Sequence, residues 1–417
     1  MERRIHNGIP WYDQNGNPVN AHGACMVPAE GKYYLIGEYK TDDVNKYMGF
    51  SCYSTENFTD WTFEGFALPP LKEGLLGRDR VGERVKVLEN RVTGKYVMLM
   101  HTDDMRYCDP CIGLAVGDQI TGEYAFQGPL LFQGKPIRFW DMGTFTDEDG
   151  TAYLLTHEGN IYRLDEDYTE AVELVAENIA PGGESPAMFK TQGIYYLMLS
   201  HKTSWERNDN YYFTAKNLQG PWEYRGLFCP EGSRTYNSQC SYVFQYGDTP
   251  VYMGDRWSYP RQASAATLVL LPIQAGNGEM RIPEYLPVWS PDTLEKSDYR
   301  MEHSLAFRSN VRNEGISAGY TGERIALFGN TDNHGGYGNI EITNEKGDCV
   351  FLTSIDFYSA VSDSGLRFLS PKLAYGRYIL RISVSGENSV CVTKNGTKYG
   401  SDDCYIDVTG WTVLGEM

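Results

Sequence analysis

The chain has 417 residues and carries 37 Lys and Arg against 55 Asp and Glu, a formal charge of −18. Hydrophobic residues make up 41% and charged ones 22%, the balance of a globular chain with a large core, which excludes disorder, collagen and coiled coil. The acidic charge excludes a sequence-independent grip on nucleic acid or an anionic membrane surface, since both need clustered Lys and Arg.

The first 17 residues, MERRIHNGIPWYDQNGN, contain basic residues but no apolar stretch, so no secretory signal peptide is readable. A cytoplasmic location is expected of the chain as written, and a periplasmic or secreted one if a leader was removed. The longest apolar stretch, 265–273, is short of the roughly 20 residues that span a bilayer. Nine scattered cysteines, an odd number, read as reduced thiols that mostly fill apolar space. The Cys108–Cys111 pair has no second pair to complete a zinc site. Phosphate-loop, dinucleotide, zincin and serine-hydrolase motifs are all lacking.

Short aromatic and β-branched runs dominate in chain order: KYYLIGEY (32–39), KYVMLMH (95–101), TAYLLTH (151–157), IYYLMLS (194–200) and PVYMGD (250–255). Turn residues bound each one, and no long stretch has a helical period, so an all-β fold is expected. A polar residue leads each run at nearly constant distance: His22, Glu83, Asp141, Glu184 and Gln239. These five are spaced 61, 58, 43 and 55 residues apart, a repeat that predicts the four-stranded blades of a five-bladed β-propeller over 1–295. The 31 tyrosines and 8 tryptophans fit both β-structure and a sugar-like ligand. Beyond a polar connector at 289–300, a second alternating pattern over 303–417 predicts a small antiparallel β-sandwich.

In a propeller the first strand of each blade lines the central channel, so the five leading residues converge at one mouth. Glu184, in GGESPAMF, is the candidate general acid, because burial beside other carboxyls raises a carboxyl pKa. Glu83 and Asp141 are read as holding sugar hydroxyls and tuning that acid, with Arg80, Arg84 and Arg138 as candidate salt-bridge partners. Glu38 and Arg256 end the strands of the first and fifth blades, and Tyr107, Trp205 and Asn208 lie in loops at the same face. The first blade carries His22-Gly23 where a catalytic base would sit. Either another residue activates water, or the propeller only binds.

The motifs NAHGACMV, YYLIGEYK, GERVKVL, RFWDMGTF, GESPAMF, YNSQCSY and YMGDRW together resemble glycoside hydrolase family 43, and within it the branch of exo-β-1,3-galactanases, subfamily 24. The resemblance covers about 10–290. It implies Glu184 as acid, Asp141 as modulator of its pKa, Gln239 in place of the usual base, and Glu83 on the sugar. It also implies substrate contacts at Glu38, Tyr107, Trp205 and Asn208; His22 and Arg256 are further substrate-binding candidates by their position in the blades. The C-terminal region resembles a carbohydrate-binding module. The expected activity is release of terminal galactose from β-1,3-galactan or arabinogalactan-type chains with inversion. A β-galactofuranosidase, an α-L-arabinofuranosidase and a catalytically silent sugar-binding propeller are the alternatives. The expected partner is an oligosaccharide or polysaccharide, with no nucleic acid or membrane. No cofactor or metal is expected; the resemblance admits a structural calcium, for which no ligand set is readable.

Overall fold

A computed structural model describes residues 3–202, 208–392 and 396–415. Apart from a 3₁₀ turn at His157–Gly159 and one turn at Arg234–Asn237, every regular element described is a strand. The first sheet is a meander of β1 (His22–Ala29), β2 (Lys32–Glu38), β3 (Phe50–Thr55) and β4 (Thr62–Leu68). The second repeats it with β5 (Arg80–Asn90), β6 (Lys95–Asp104), β7 (Cys111–Gly117) and β8 (Ala125–Pro129). The third has β9 (Met142–Thr146), β10 (Ala152–Thr156), β11 (Asn160–Leu164) and β12 (Ala171–Ala176), extended by two short strands at its edge. The fourth has β13 (Glu184–Thr191), β14 (Ile194–Ser200), β15 (Tyr211–Ala215) and β16 (Glu223–Leu227). The fifth has three strands, β17 (Gln239–Tyr246), β18 (Thr249–Arg256) and β19 (Thr267–Pro272).

The inner strands, such as β3, β10 and β14, are buried at nearly every position because each sheet is covered on both faces there, whereas the outermost strands β4, β8, β12 and β16 are partly exposed. Met188 of β13 belongs to one apolar cluster with Tyr153 and Leu155 of the third sheet, while its neighbours Ala187 and Phe189 belong to another with Val243 and Phe244 of the fifth. Such layers join the first sheet to the second, the second to the third, the third to the fourth, and the fourth through the fifth to the first. The order is therefore cyclic. The leading strands make the same circuit: β1 lies against β5 and β17, β5 against β9, β9 against β13, and β13 against β17.

The start of the chain is hydrogen-bonded along the edge of the fifth sheet. Gly8 N–H donates to Leu268 O at 3.0 Å, and the Asn7 side chain bonds both the N–H and the carbonyl of Leu270. Ile5–His6 pairs with Val288–Ser290, which turns back onto Glu295–Lys296. The expected polar connector is thus partly ordered, because Trp289 is fully buried and its indole donates to Leu270 O.

The C-terminal region holds two four-stranded antiparallel sheets. One has the order β20 (His303–Ser309), β27 (Ile406–Leu414), β22 (Arg324–Thr331), β25 (Asp363–Leu369). The other has the order β21 (Gly315–Gly322), β26 (Gly376–Val384), β23 (Tyr337–Asn344), β24 (Cys349–Asp356). Their inward residues, among them Leu327, Phe368, Ile342 and Ile382, share one apolar core, into which Tyr12 of the first region inserts against Phe351.

Candidate active site

The five leading residues sit where the innermost hairpins open, and each has a defined cross-strand partner. His22 pairs with Glu38, Glu83 with His101, Glu184 with Ser200 and Gln239 with Asp255; Met142, beside Asp141, pairs with Thr156. Three of the leading strands break register immediately afterwards, between His22 and Cys25, Glu83 and Lys86, and Glu184 and Ala187. The residue at each break is left-handed: Gly23 at φ 52°, Arg84 at 53° and Ser185 at 54°. Glycine adopts this freely, whereas for Arg84 and Ser185 it costs on the order of 1–3 kcal/mol each. A bulge re-aims the side chains beside it, here toward the ring axis.

Arg84 binds the cluster together. Its Nη2 donates to Gln239 Oε1 at 2.7 Å and lies 3.2 Å from Asp141 Oδ2. Its backbone N–H donates to Glu38 Oε1 at 2.7 Å. The side chain is buried, and the surrounding carboxylates hold its pKa above the usual value despite that burial. Arg80 and Arg138, the other candidate partners, instead hold Asp109 at 3.0 and 2.8 Å, away from the cluster.

Glu184 accepts a hydrogen bond from Gln239 Nε2 on Oε1 at 3.2 Å, and His157 Nε2 lies 3.8 Å from Oε2. Burial, then the charge of Asp141, pushes the Glu184 carboxyl up to about 8. Asp141 behaves oppositely. Burial works against its charge, but Arg84 and the Ser185 hydroxyl, which donates to Oδ2 at 2.6 Å, hold it below its usual value. Burial lowers His157 to about 4, so it stands neutral beside Glu184. One carboxyl is therefore protonated near neutral pH and its neighbour is ionised. Gln239 is fixed as firmly: Oε1 accepts from Arg84 and from Trp257 Nε1 at 3.1 Å, and Nε2 also reaches Ser200 Oγ at 3.4 Å.

Glu83 is the centre of a second group. Tyr107 Oη and Asn45 Nδ2 each donate to its Oε1 at 2.9 Å, Lys40 Nζ lies 3.5 Å away, and His101 Nδ1 faces Oε2 at 3.4 Å. The other His101 nitrogen faces Asp103 Oδ2 at 3.2 Å; burial opposes its charge, but Asp103 and Glu83 raise it to about 9. Lys40 and His101 hold Glu83 ionised against the cost of its burial. Glu83, Asp141 and Glu184 keep 14–15% of their side chains exposed, whereas Arg84, His101 and Lys40 keep 1–8%. The three carboxyls are thus the part of the network that a ligand reaches. Trp140, 40% exposed and edge-on to His157 at 5.7 Å, stands beside them.

The absent base at Gly23 has a steric explanation. A Cβ on Gly23 would lie 1.9 Å from Glu38 Oε1, so Glu38 occupies the space a side chain there would need. Glu38 is fully buried and paired to Lys40 Nζ at 2.5 Å; burial raises its pKa and Lys40 opposes that rise. His22 is one layer back, its ring 5.5 Å from Trp257 and its Nδ1 3.5 Å from Asp255 Oδ1. Beneath Gly23 the buried Lys86 ammonium donates to Gly23 O at 2.7 Å and to the Val85 and Arg84 carbonyls.

Two expected contacts fall elsewhere. Arg256 follows Asp255 and so projects to the opposite face of β18, where it donates to Tyr236 O and stacks on Tyr285. Asn208 spends its amide on both backbone groups of His201, which ties the loop ends together. Trp205 lies outside the described residues. Arg84 was legible only as a salt-bridge partner, and His101, Asp103, His157, Lys40 and Trp257 were not singled out as site residues; the signal was the polar residue ending each second strand. Among the described residues, no group of three or more His, Cys, Asp and Glu side chains is placed to hold a metal ion.

A carboxyl kept protonated beside an ionised one is a group able to donate a proton to a leaving atom. Residues 15–227 match the model of the glycosyl hydrolases family 43. A Bifidobacterium bifidum S17 structure provisionally named as an exo-β-1,3-galactanase is 36% identical, over 67% of this chain and 96% of that one, with a TM-score of 0.62. A family 43 β-1,3-galactosidase solved with galactodeoxynojirimycin is 26% identical over 67% of this chain and 98% of that one, TM-score 0.62. The Phanerochaete chrysosporium exo-β-1,3-galactanase solved with galactose shares the fold along 98% of this chain and 99% of its own, at 23% identity and TM-score 0.70. No curated protein matches. The chain belongs to glycosyl hydrolase family 43, a β-propeller family, and is a glycoside hydrolase.

Proposed function

We propose that the five sheets are the blades of a five-bladed propeller over 1–295, that the two C-terminal sheets form a β-sandwich over 303–417, and that the enzyme releases terminal galactose from β-1,3-linked chains with inversion. The observation that carries the chemistry is the Glu184 carboxyl, raised to about 8 beside an ionised Asp141. Support for the sugar comes from the names of the Bifidobacterium structure and the β-1,3-galactosidase.

Glu184 donates its proton to the leaving oxygen, which removes the negative charge that would otherwise build there. Asp141 keeps that proton on Glu184 and is itself held by Arg84 and Ser185. Gln239 orients water at the anomeric carbon by redirecting the N–H that otherwise bonds Glu184; an amide takes up no proton, so its part is positional, and the proton shed by the attacking water passes to bulk water while Glu184 is reprotonated from solvent. Glu83, ionised and flanked by Tyr107 and Asn45, accepts hydrogen bonds from ring hydroxyls. Trp140 offers an apolar face to the sugar.

Chromatography of products from β-1,3-galactan and a panel of aryl glycosides tests this reading. Free galactose as the first product supports it. Release of arabinose or galactofuranose instead would move the specificity within the family, and galactan binding with no released sugar would leave a silent binding propeller.

A further inference from the structure

Two short segments carry the partners of Glu184 in the fifth sheet. One ends at Gln239 and the other contains Trp257, whose indole donates to Gln239 Oε1. Both are held from outside the ring by strands and loops of the C-terminal region. Before Gln239, Asn237 Nδ2 donates to Ser359 Oγ at 2.5 Å. After Trp257, Ser258 Oγ donates to Asp356 Oδ2 at 2.7 Å, and Tyr337 Oη donates back to Ser258 O at 3.2 Å. Tyr259 O accepts from Val390 N–H at 3.0 Å and from Ser389 Oγ at 3.1 Å. Arg261 reaches Ser354 Oγ at 2.8 Å and Glu387 Oε2 at 2.6 Å, with its guanidinium 4.6 Å from the centre of the Tyr337 ring. The loop is also pinned from the first sheet's side, where Asp42 Oδ1 accepts from Ala263 and Ser264 N–H.

These bonds converge on one stretch. Ser258, Tyr337 and Asn237 are buried, so each bond lost there strands a polar group away from water. The coupling to Gln239 and Trp257 runs through the backbone that bears them.

We infer that the C-terminal two-sheet region is a positioning element of the catalytic site, clamping the segments that carry Gln239 and Trp257 so that the Gln239 amide is presented to Glu184. This rests on the reading of Glu184 as the acid. The clamp makes the C-terminal region a part of the catalytic unit, whatever sugar it binds of its own. Loosening it withdraws a hydrogen bond that favours ionised Glu184, so the pKa of the acid rises.

The test compares the full chain with a Ser258→Ala, Tyr337→Phe double variant and an Arg261→Met variant, with Arg261→Lys as the conservative control. On β-1,3-galactobiose the expected result is a kcat lower by about 10-fold, the scale of a modest misplacement of a catalytic group. KM is little changed, the alkaline limb of the kcat profile moves to higher pH, and Arg261→Lys recovers activity. Hydrogen–deuterium exchange in peptides covering 236–242 and 254–263 should be several-fold faster, and this readout needs no turnover. A role confined to stability would lower the melting temperature and leave the pH limb in place, which overturns the inference. Unchanged exchange in both peptides overturns it as well. If the wild-type chain releases no sugar, the reading of its function fails, and exchange still decides the clamp.

Discussion

The centre of the five-sheet ring and the core between the two C-terminal sheets solve the same packing problem with opposite materials. Glu38, Lys40, Arg84, Lys86, His101, Asp103 and Asp255 are all buried around the ring axis. In the C-terminal region Arg367, paired to Asp363 at 3.0 Å, is the one buried charged residue among those described, and the interior is Ile, Leu, Val and Phe. A buried ion network is seldom the more stable choice, since well-packed apolar residues of similar volume often do as well or better. The ring keeps its charges for what they do to one another. Six carboxyls, on Glu38, Glu83, Asp103, Asp141, Glu184 and Asp255, face the cations Lys40, Arg84, Lys86 and His101. Arg84 goes to Asp141, Lys40 to Glu38 and Glu83, and His101 to Glu83 and Asp103. Glu184 is left with a neutral amide and a neutral imidazole, so it is the carboxyl that retains a proton.

Substitutions on the two sides of this contrast should separate cleanly. The largest effect belongs to Glu184→Gln, which should lower kcat on β-1,3-galactobiose by about 10²–10⁴-fold, the usual worth of a general acid. The same variant should gain stability over wild type at pH 8 more than at pH 5. A carboxyl raised from 4.5 to about 8 binds a proton on folding, and its contribution is lost as pH rises through that window. Urea unfolding at the two pH values reads the difference, and an equal gain at both would contradict it. Next, Arg84→Met should cost about 3–5 kcal/mol by leaving buried carboxylates unpaired, and should abolish activity with it. Its counterpart in the apolar core, Ile342→Ala, should cost about 2–5 kcal/mol and leave kcat at 25 °C unchanged. A fall in kcat for Ile342→Ala below its unfolding transition would erase the distinction. The smallest effect is Trp140→Ala, where the loss of stacking, worth about 0.5–1.5 kcal/mol, should raise KM by about 2–10-fold and spare kcat.

Much of this was legible before any coordinates. The five leading residues could be placed because their spacing follows the strand runs, and Glu184, Asp141, Gln239 and Glu83 do gather in one network. What periodicity hides is the second strand of each hairpin. Residues near its end, Glu38, His101, Ser200 and Asp255, stand opposite four of the leading ones by antiparallel register, and of these Glu38 was legible as a site candidate. Arg84 was legible as a salt-bridge partner but not as the hub of the cluster: simple alternation would turn it away from Glu83's side of the strand, and only the bulge brings it in. Arg256 misleads by the converse route, sitting next to a cluster residue on a strand that does alternate. The ordered hairpin at 288–296 was obscured by its polar composition, although Trp289 marks it in retrospect.

The pH dependence of kcat/KM on β-1,3-galactobiose, measured for wild type and Asp141→Asn, tests the central claim most directly. Asp141 raises the pKa of Glu184 through its negative charge. Wild type should therefore lose activity through an alkaline limb near pH 8, and Asp141→Asn, besides being slower, should show that limb displaced to lower pH. A limb that stays in place when the Asp141 charge is removed would contradict the assignment of Glu184 as an acid kept protonated by its neighbour.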